Sequence, residues 1–165
     1  MSTAPRKTLW AWTVATFFGA GFLKPGPGTY ASAITVLLWL GGSWLLYSNT
    51  LHLLIATLIA LAVAIALGIP AATRVARESG RKDPGFVVID EVAGQLITLI
   101  AIPVSWKSLL LGFILFRGFD IVKPPPVRQL EHLAEGFGIV LDDVAAGLYA
   151  LAIMQMALHF GLLPR

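Results

Sequence analysis

Between Pro25 and Thr73 the chain carries no Asp, Glu, Lys or Arg. A run of this length is enough for two apolar crossings of about 20 residues each, because a helix rising about 1.5 Å per residue needs that many to traverse a hydrocarbon layer of about 30 Å. Backbone amides and carbonyls have no water partners there, so such segments must be helical. The whole composition agrees: 57% of the residues are hydrophobic, only 13% are charged and mean hydropathy is +0.80, against about 25% charged in an ordinary soluble domain.

The apolar pattern predicts five transmembrane or membrane-embedded helices, at about residues 30–47, 51–69, 87–104, 108–121 and 139–162. Ser48-Asn49-Thr50 is the expected turn between the first two, and Pro70 falls near the end of the second. The third and fourth carry charge at one end and are expected to lean on their neighbours and face a polar cavity. Leu9 to Phe22, with Trp10, Trp12, Phe17 and Phe18, is too short to span and reads as an interfacial helix. No small-residue cleavage site follows it, so it is not read as a removed signal. Residues 1–165 are therefore expected to form one all-α domain, an integral membrane helical bundle with an N-terminal interfacial helix.

Basic residues mark cytoplasmic loops. Arg6, Lys7 and Lys24 precede the first span, Arg74, Arg77, Arg81 and Lys82 separate the second from the third, and Lys123 and Arg128 follow the fourth; only Lys107 and Arg165 fall on the other side. The N-terminus is thus expected on the cytoplasmic side, with the acidic pairs near the cytoplasmic surface. The basic excess also suits anionic lipid headgroups.

Those pairs are Asp90-Glu91 and Asp142-Asp143, in a chain with nine acidic residues in all. Each enters an apolar segment, and each is followed about one helical turn later by a glycine, Gly94 or Gly147, of the kind that lets helices approach closely. One ionised side chain near a bilayer centre costs about 2.5–3.5 kcal/mol on insertion scales, so four carboxylates together require a compensating cation. Oxygen-only ligands favour a hard divalent ion, magnesium in particular, which takes one or two carboxylates, waters and a substrate phosphate. There is no cysteine, and His52, His132 and His159 are far apart, which argues against a Cys/His zinc cluster. Capping of helix N-termini is the alternative reading, although a cap needs one acid rather than two.

Three further segments fall on the same side. Gly19 to Ser32 is a Gly/Pro-rich loop with a cation, Lys24, and two hydroxyls, Thr29 and Ser32, ahead of an apolar helix. Such a loop can offer amides and a helix N-terminus to a phosphate, or can simply be a turn capped by Thr29 or Ser32. It lacks the order of a nucleotide-binding P-loop. Arg117 and Asp120 are three residues apart and share a helix face, where they can pair. Pro124-Pro125-Pro126 then stops the helix and stiffens the position of Lys123. Arg81-Lys82-Asp83-Pro84-Gly85 is a turn that Asp83 can start.

Taken in order, Pro27-Gly28-Thr29, Asp83-Pro84, Ile89-Asp90-Glu91-Val92-Ala93-Gly94, Phe116-Arg117 with Phe119-Asp120 and Lys123-Pro124, and Gly136 to Gly147 with its Leu141-Asp142-Asp143-Val144 resemble the motifs of bacterial phosphatidylglycerophosphatase A. Ala31, Pro125 and Val140 stand where that family commonly has Gly, Trp and Met; none of the three departures removes a ligand. The resemblance implies a magnesium-dependent, all-helical membrane phosphatase that converts phosphatidylglycerophosphate to phosphatidylglycerol and inorganic phosphate. On that basis Asp90, Glu91, Asp142 and Asp143 are expected to hold the metal or its waters. Lys24, Arg117, Lys123 and Arg128, with the hydroxyls of Thr29 and Ser32, are expected at the phosphate. Asp120, Asp143 and Asp90 are the candidate catalytic acids, with Asp120 best placed as base or nucleophile. Metal-activated water is favoured over an aspartyl-phosphate.

The sequence carries no cysteine for a thiolate phosphatase, no DxDxT run and no DGxxAR motif. Nothing in it suggests nucleic acid, haem or a flavin. The competing reading is a small cation or proton transporter built on paired membrane carboxylates.

Overall fold

Helix boundaries in this chain follow the prolines, glycines and hydroxyls that interrupt its apolar runs. The computed structural model describes residues 7–46 and 50–163, all helix and turn with no strand among them. Seven helices follow in order: α1 (Leu9–Ala15), α2 (Pro27–Leu45), α3 (Thr50–Ser79), α4 (Ile89–Thr98), α5 (Trp106–Val122), α6 (Val127–Leu130) and α7 (Glu135–His159). Two of them, α3 with an 18-residue stretch of mean hydropathy 2.6 and α7 with one of 1.8, are long and apolar enough to cross a membrane by length and composition.

Several expected boundaries move, each for a local reason. Pro27 occupies the first turn of α2, where its missing N–H costs nothing. Tyr47 and the expected turn at Ser48-Asn49 lie outside the described residues, as do Arg6 and Arg165. The second expected span corresponds to α3, which does not stop near Pro70 but runs on to Ser79. Ala71, Ala72, Val75 and Ala76 beyond the proline are buried in the core, so their packing outweighs the lost hydrogen bond. The fifth expected span corresponds to α7, which starts at Glu135, four residues earlier than expected.

The largest correction concerns the third span. Instead of residues 87–104, α4 comprises ten residues, about 15 Å of helix and half of what a crossing needs. Ala101 sits at φ 55 and Pro103 follows, which prevents continuation. The reason α4 is so apolar is that α2, α3, α5 and α7 surround it. Eight of its ten residues are buried, and the two that are not are Asp90 and Glu91.

The N-terminal segment is a seven-residue helix rather than one continuous piece to Phe22. After Ala15 the chain turns through Phe17 (φ 45), Phe18 (φ 55) and Gly19 (φ 94) into a short 3-10 turn, Ala20–Phe22. Glu78, at the end of α3, accepts from the Thr8 amide at 2.9 Å and the Trp12 indole at 2.8 Å, and it pairs with Arg74 at 2.9 Å. Trp12 stacks on Phe86 at 5.2 Å, and the Val88 amide donates to the Ala15 carbonyl at 2.8 Å. The segment is thereby fastened over the 83–88 loop that leads into α4.

The most extensive packing among the helices is between α4 and α7, and their backbones touch. A Cβ on Gly147 would lie 2.5 Å from the Gly94 carbonyl oxygen, and one on Gly94 would lie 2.6 Å from the Asp143 carbonyl oxygen. Gly147→Ala is expected to cost about 1–3 kcal/mol through overpacking. Gly41→Ala meets nothing within 4 Å and is expected to be neutral or to stabilise by up to about 1 kcal/mol. Thermal melting of the two variants in detergent checks the contrast.

Candidate active site

The backbone contact of Gly94 with Gly147 fixes where the acids go. Asp90 and Glu91 stand in the first turn of α4, whereas Asp142 and Asp143 lie two turns inside α7. The second pair is therefore not a helix cap, and no side chain caps the first turn of α4. One oxygen each from Asp90, Glu91 and Asp143 lie within 4.8 Å of one another. Asp90 Oδ1, Glu91 Oε2 and Asp143 Oδ2 are buried without a hydrogen-bond partner among the described residues.

These acids open into a cavity of about 320 Å³. Of the nine acidic residues in the chain, all except Glu78 line it: Asp83, Asp90, Glu91, Asp120, Glu131, Glu135, Asp142 and Asp143. Three cations, Lys82, Arg117 and Lys123, line it with them. Eight carboxylates against three cations leave a strongly negative wall, and like charges at this spacing in a poorly solvated site repel strongly.

The cations are held by particular acids. Arg117 pairs with Asp120 at 2.6 Å and lies 3.5 Å from Glu91, with all three side chains no more than 15% exposed. Lys123 pairs with Asp142 at 2.6 Å and reaches Glu131 at 3.7 Å. It sits at the end of α5 in the left-handed region (φ 47), where Pro124 ends the helix and turns the chain back over the cavity. Burial alone would lower the Lys123 pKa, but the bond to Asp142 and the charges of Asp142, Glu131 and Asp143 outweigh it and hold the ammonium protonated. At Asp83 burial raises the pKa; Lys123 and Lys82 act against it, and Glu131 and Asp120 add to it.

The N-terminus of α2 forms another side. Gly26, Pro27 and Gly28 line the cavity, and a Cβ on Gly28 would fall 1.7 Å from Glu91 Oε1. Only glycine lets this helix end press on the Glu91 carboxylate. The Gly28 and Thr29 amides belong to the first turn, where amides have no intrahelical acceptor.

Of the residues singled out from sequence, Asp90, Glu91, Arg117, Asp120, Lys123, Asp142 and Asp143 converge on the cavity. Lys24, Thr29, Ser32 and Arg128 are not among its lining. Lys24, Thr29 and Arg128 are exposed, and Ser32 is fully buried with its hydroxyl donating to the Gly28 carbonyl at 2.9 Å. Asp142 was grouped with the metal acids, yet its nearest partner is Lys123. Residues the sequence did not flag for the site include Glu131 and Glu135, the latter paired with Arg77 at 2.7 Å. Gln95, one turn beyond Glu91, is not among the lining, but its fully buried amide has no partner among the described residues. A lone amide inside an apolar run was the signal available for it.

Three carboxylates with oxygens left over, an all-oxygen donor set and surplus negative charge fit a hard divalent cation such as magnesium. Asp90, Glu91 and Asp143 are the residues that would hold it.

Lys123→Met is expected to destabilise the protein by about 1–3 kcal/mol, because Asp142 is left buried without its partner. Adding Asp142→Asn should recover a large part of that loss, and a double-mutant cycle on denaturation midpoints in detergent reads the coupling.

A family model described as phosphatidylglycerophosphatase A matches residues 13–158. A phosphatidylglycerophosphatase A of Haemophilus influenzae is 39% identical over 143 residues, covering 86% of this chain and 84% of the relative. A protein of Bacteroides thetaiotaomicron named as a putative phosphatidylinositol-3-phosphatase is 36% identical, covering 87% and 91%. A phosphatidylglycerophosphatase A of Escherichia coli is 32% identical, covering 88% and 82%. No solved structure matches.

Proposed function

Since the chain belongs to the phosphatidylglycerophosphatase A family, we propose that it is a magnesium-dependent lipid phosphatase acting on phosphatidylglycerophosphate in phospholipid synthesis. The observation that carries this reading is the meeting of three unpartnered carboxylate oxygens, from α4 and α7, beside two ion-paired cations in one cavity. A divalent ion held there supplies positive charge for the phosphoryl oxygens and makes a bound water more acidic.

The chain's own groups supply the rest. Arg117, kept in place by Asp120 and Glu91, and Lys123, kept in place by Asp142, are proposed to bind the phosphoryl oxygens, with the free amides at the α2 N-terminus as further donors. Asp120 is proposed to take the proton from the attacking water. The water oxygen then bonds to phosphorus while the bond to the glycerol oxygen breaks, and that oxygen takes the proton from Asp120 and leaves as the alcohol. Asp142 is read here as the group that positions Lys123 rather than as a metal ligand. Lys24 and Arg128, both exposed, are assigned to anionic lipid near the cavity rather than to the reacting phosphate, which also suits a cytoplasm-facing site in a multi-pass inner-membrane protein.

The Bacteroides relative's name points to a second head group with the same phosphomonoester chemistry, so phosphatidylinositol 3-phosphate belongs in the same assay. Ion transport receives less support, because the acids share one cavity with the cations that a phosphate would need.

Phosphate release from phosphatidylglycerophosphate in detergent, with magnesium and with EDTA, tests the reading. Wild type should be active only with the metal, and Asp143→Asn should fall by about 10²-fold or more, in line with loss of a charge-stabilising group. A folded wild type without magnesium-dependent release would overturn it. Gly28→Ala should lower turnover by about tenfold or more, since its Cβ displaces the Glu91 carboxylate; the equivalent change at Gly26, whose nearest neighbour is 3.3 Å away, should be mild.

A further inference from the structure

On the other side of α4 from the acids lies an apolar groove of about 450 Å³ between α2, α3 and α4. Ile89 and Val92 line it while Asp90 and Glu91, between them in sequence, line the polar cavity, so one ten-residue helix separates the two. Its volume is in the range of small-molecule pockets, about 300–1,000 Å³.

The polar atoms of the groove are already satisfied. The Trp39 indole donates to the Thr57 hydroxyl at 2.8 Å, that hydroxyl donates to the Leu53 carbonyl at 2.8 Å, and the Thr35 hydroxyl donates to the Ala31 carbonyl at 2.8 Å. An occupant therefore finds no hydrogen-bonding group and must itself be apolar along its length.

The apolar surface of the groove also extends toward the polar cavity. A second apolar hollow shares Phe17, Phe18 and Leu38 with it and extends to Leu23. The next residues, Lys24-Pro25-Gly26, lead to the cavity, which Gly26 lines. The apolar surface of the groove thus ends, at Leu23, three residues before Gly26 on the wall of the cavity. A lipid whose phosphate sits among Asp90, Glu91 and Arg117 could lay a hydrocarbon chain along that surface.

We propose that this groove binds an acyl chain of the lipid substrate, so that the enzyme recognises chain as well as phosphate. The inference rests on the function proposed above and extends it to the apolar part of the substrate. Chain binding stabilises the complex by about 0.8 kcal/mol per buried methylene. Filling the groove therefore selectively weakens long-chain substrates.

Gly42 lines the groove and a Cβ there meets nothing within 4 Å; Ala60, on α3, lines it from the opposite wall and is exposed. Gly42→Phe and Ala60→Phe are each assayed with dihexanoyl and dipalmitoyl phosphatidylglycerophosphate in one detergent, with melting temperature and oligomeric state recorded. The expected result is a KM for the dipalmitoyl lipid raised about tenfold, equivalent to about two methylenes excluded, with dihexanoyl kinetics and melting unchanged. Equal effects on both lipids, or none, would overturn the inference while leaving the phosphatase reading intact. A changed oligomeric state with unchanged chain-length dependence would also overturn it, by assigning the groove to a second copy of the chain. A wild type inactive toward both lipids would overturn the phosphatase reading and the groove assignment with it.

Discussion

The crossing of α4 and α7 at Gly94 and Gly147 is the contact on which the site depends. With a hydrogen in place of a side chain at both positions, the two backbones touch: the Gly94 carbonyl and α-carbon fill the space a Cβ on Gly147 would occupy, and the Asp143 carbonyl with the Phe116 ring fills that of a Cβ on Gly94. The acids are carried to one place as a consequence. Asp90 and Glu91 precede Gly94 by one turn, Asp143 precedes Gly147 by one turn, and the carboxylates at the two ends of this crossing come within ligand distance of a common point. Wider spacing of the helices would separate them and remove the shared donor set.

The negative charge gathered there accounts for much of the surrounding architecture. Arg117 and Lys123 are fixed by Asp120 and Asp142 on the rim, and the prolines after Lys123 turn the chain so that Glu131 approaches it. The α2 N-terminus approaches through Gly28, where no other residue fits against Glu91. The N-terminal helix adds no charge to the cavity; through Glu78 and Phe86 it braces the loop from which α4 starts. Apolar burial and electrostatics are thus divided along the same short helix, with its acids lining the cavity and its remaining eight residues buried.

How much of this was legible in the sequence depended on whether the signal was local. The acid pairs, the glycine one turn beyond each, the Arg117–Asp120 spacing and the proline stop after Lys123 are local patterns, and all of them recur in the structure. Helix length was less legible. A run of apolar residues such as 87–104 looks the same whether it faces lipid or four neighbouring helices, so α4 was expected to be nearly twice as long as it is. Pro70 was read as an end because its local cost is plain, while the core packing of Val75 and Ala76 beyond it is a tertiary effect. The pairing of Asp142 with Lys123, the place of Glu131 and Glu135 in the cavity wall and the inward burial of Ser32 likewise depend on which helices meet. The membrane topology expected from the basic residues goes beyond what the helices themselves establish, which is that α3 and α7 have the length and apolarity to cross.

The central claim is that α4 and α7 contribute to a single cation site. Its most direct test is Mn²⁺ affinity, measured by electron paramagnetic resonance as a stand-in for magnesium, in purified wild type, Asp90→Asn and Asp143→Asn. A shared site predicts that loss of either acid weakens binding by about tenfold or more, equivalent to about 1.4 kcal/mol, in protein that is still folded. Wild-type affinity in either folded variant would contradict it.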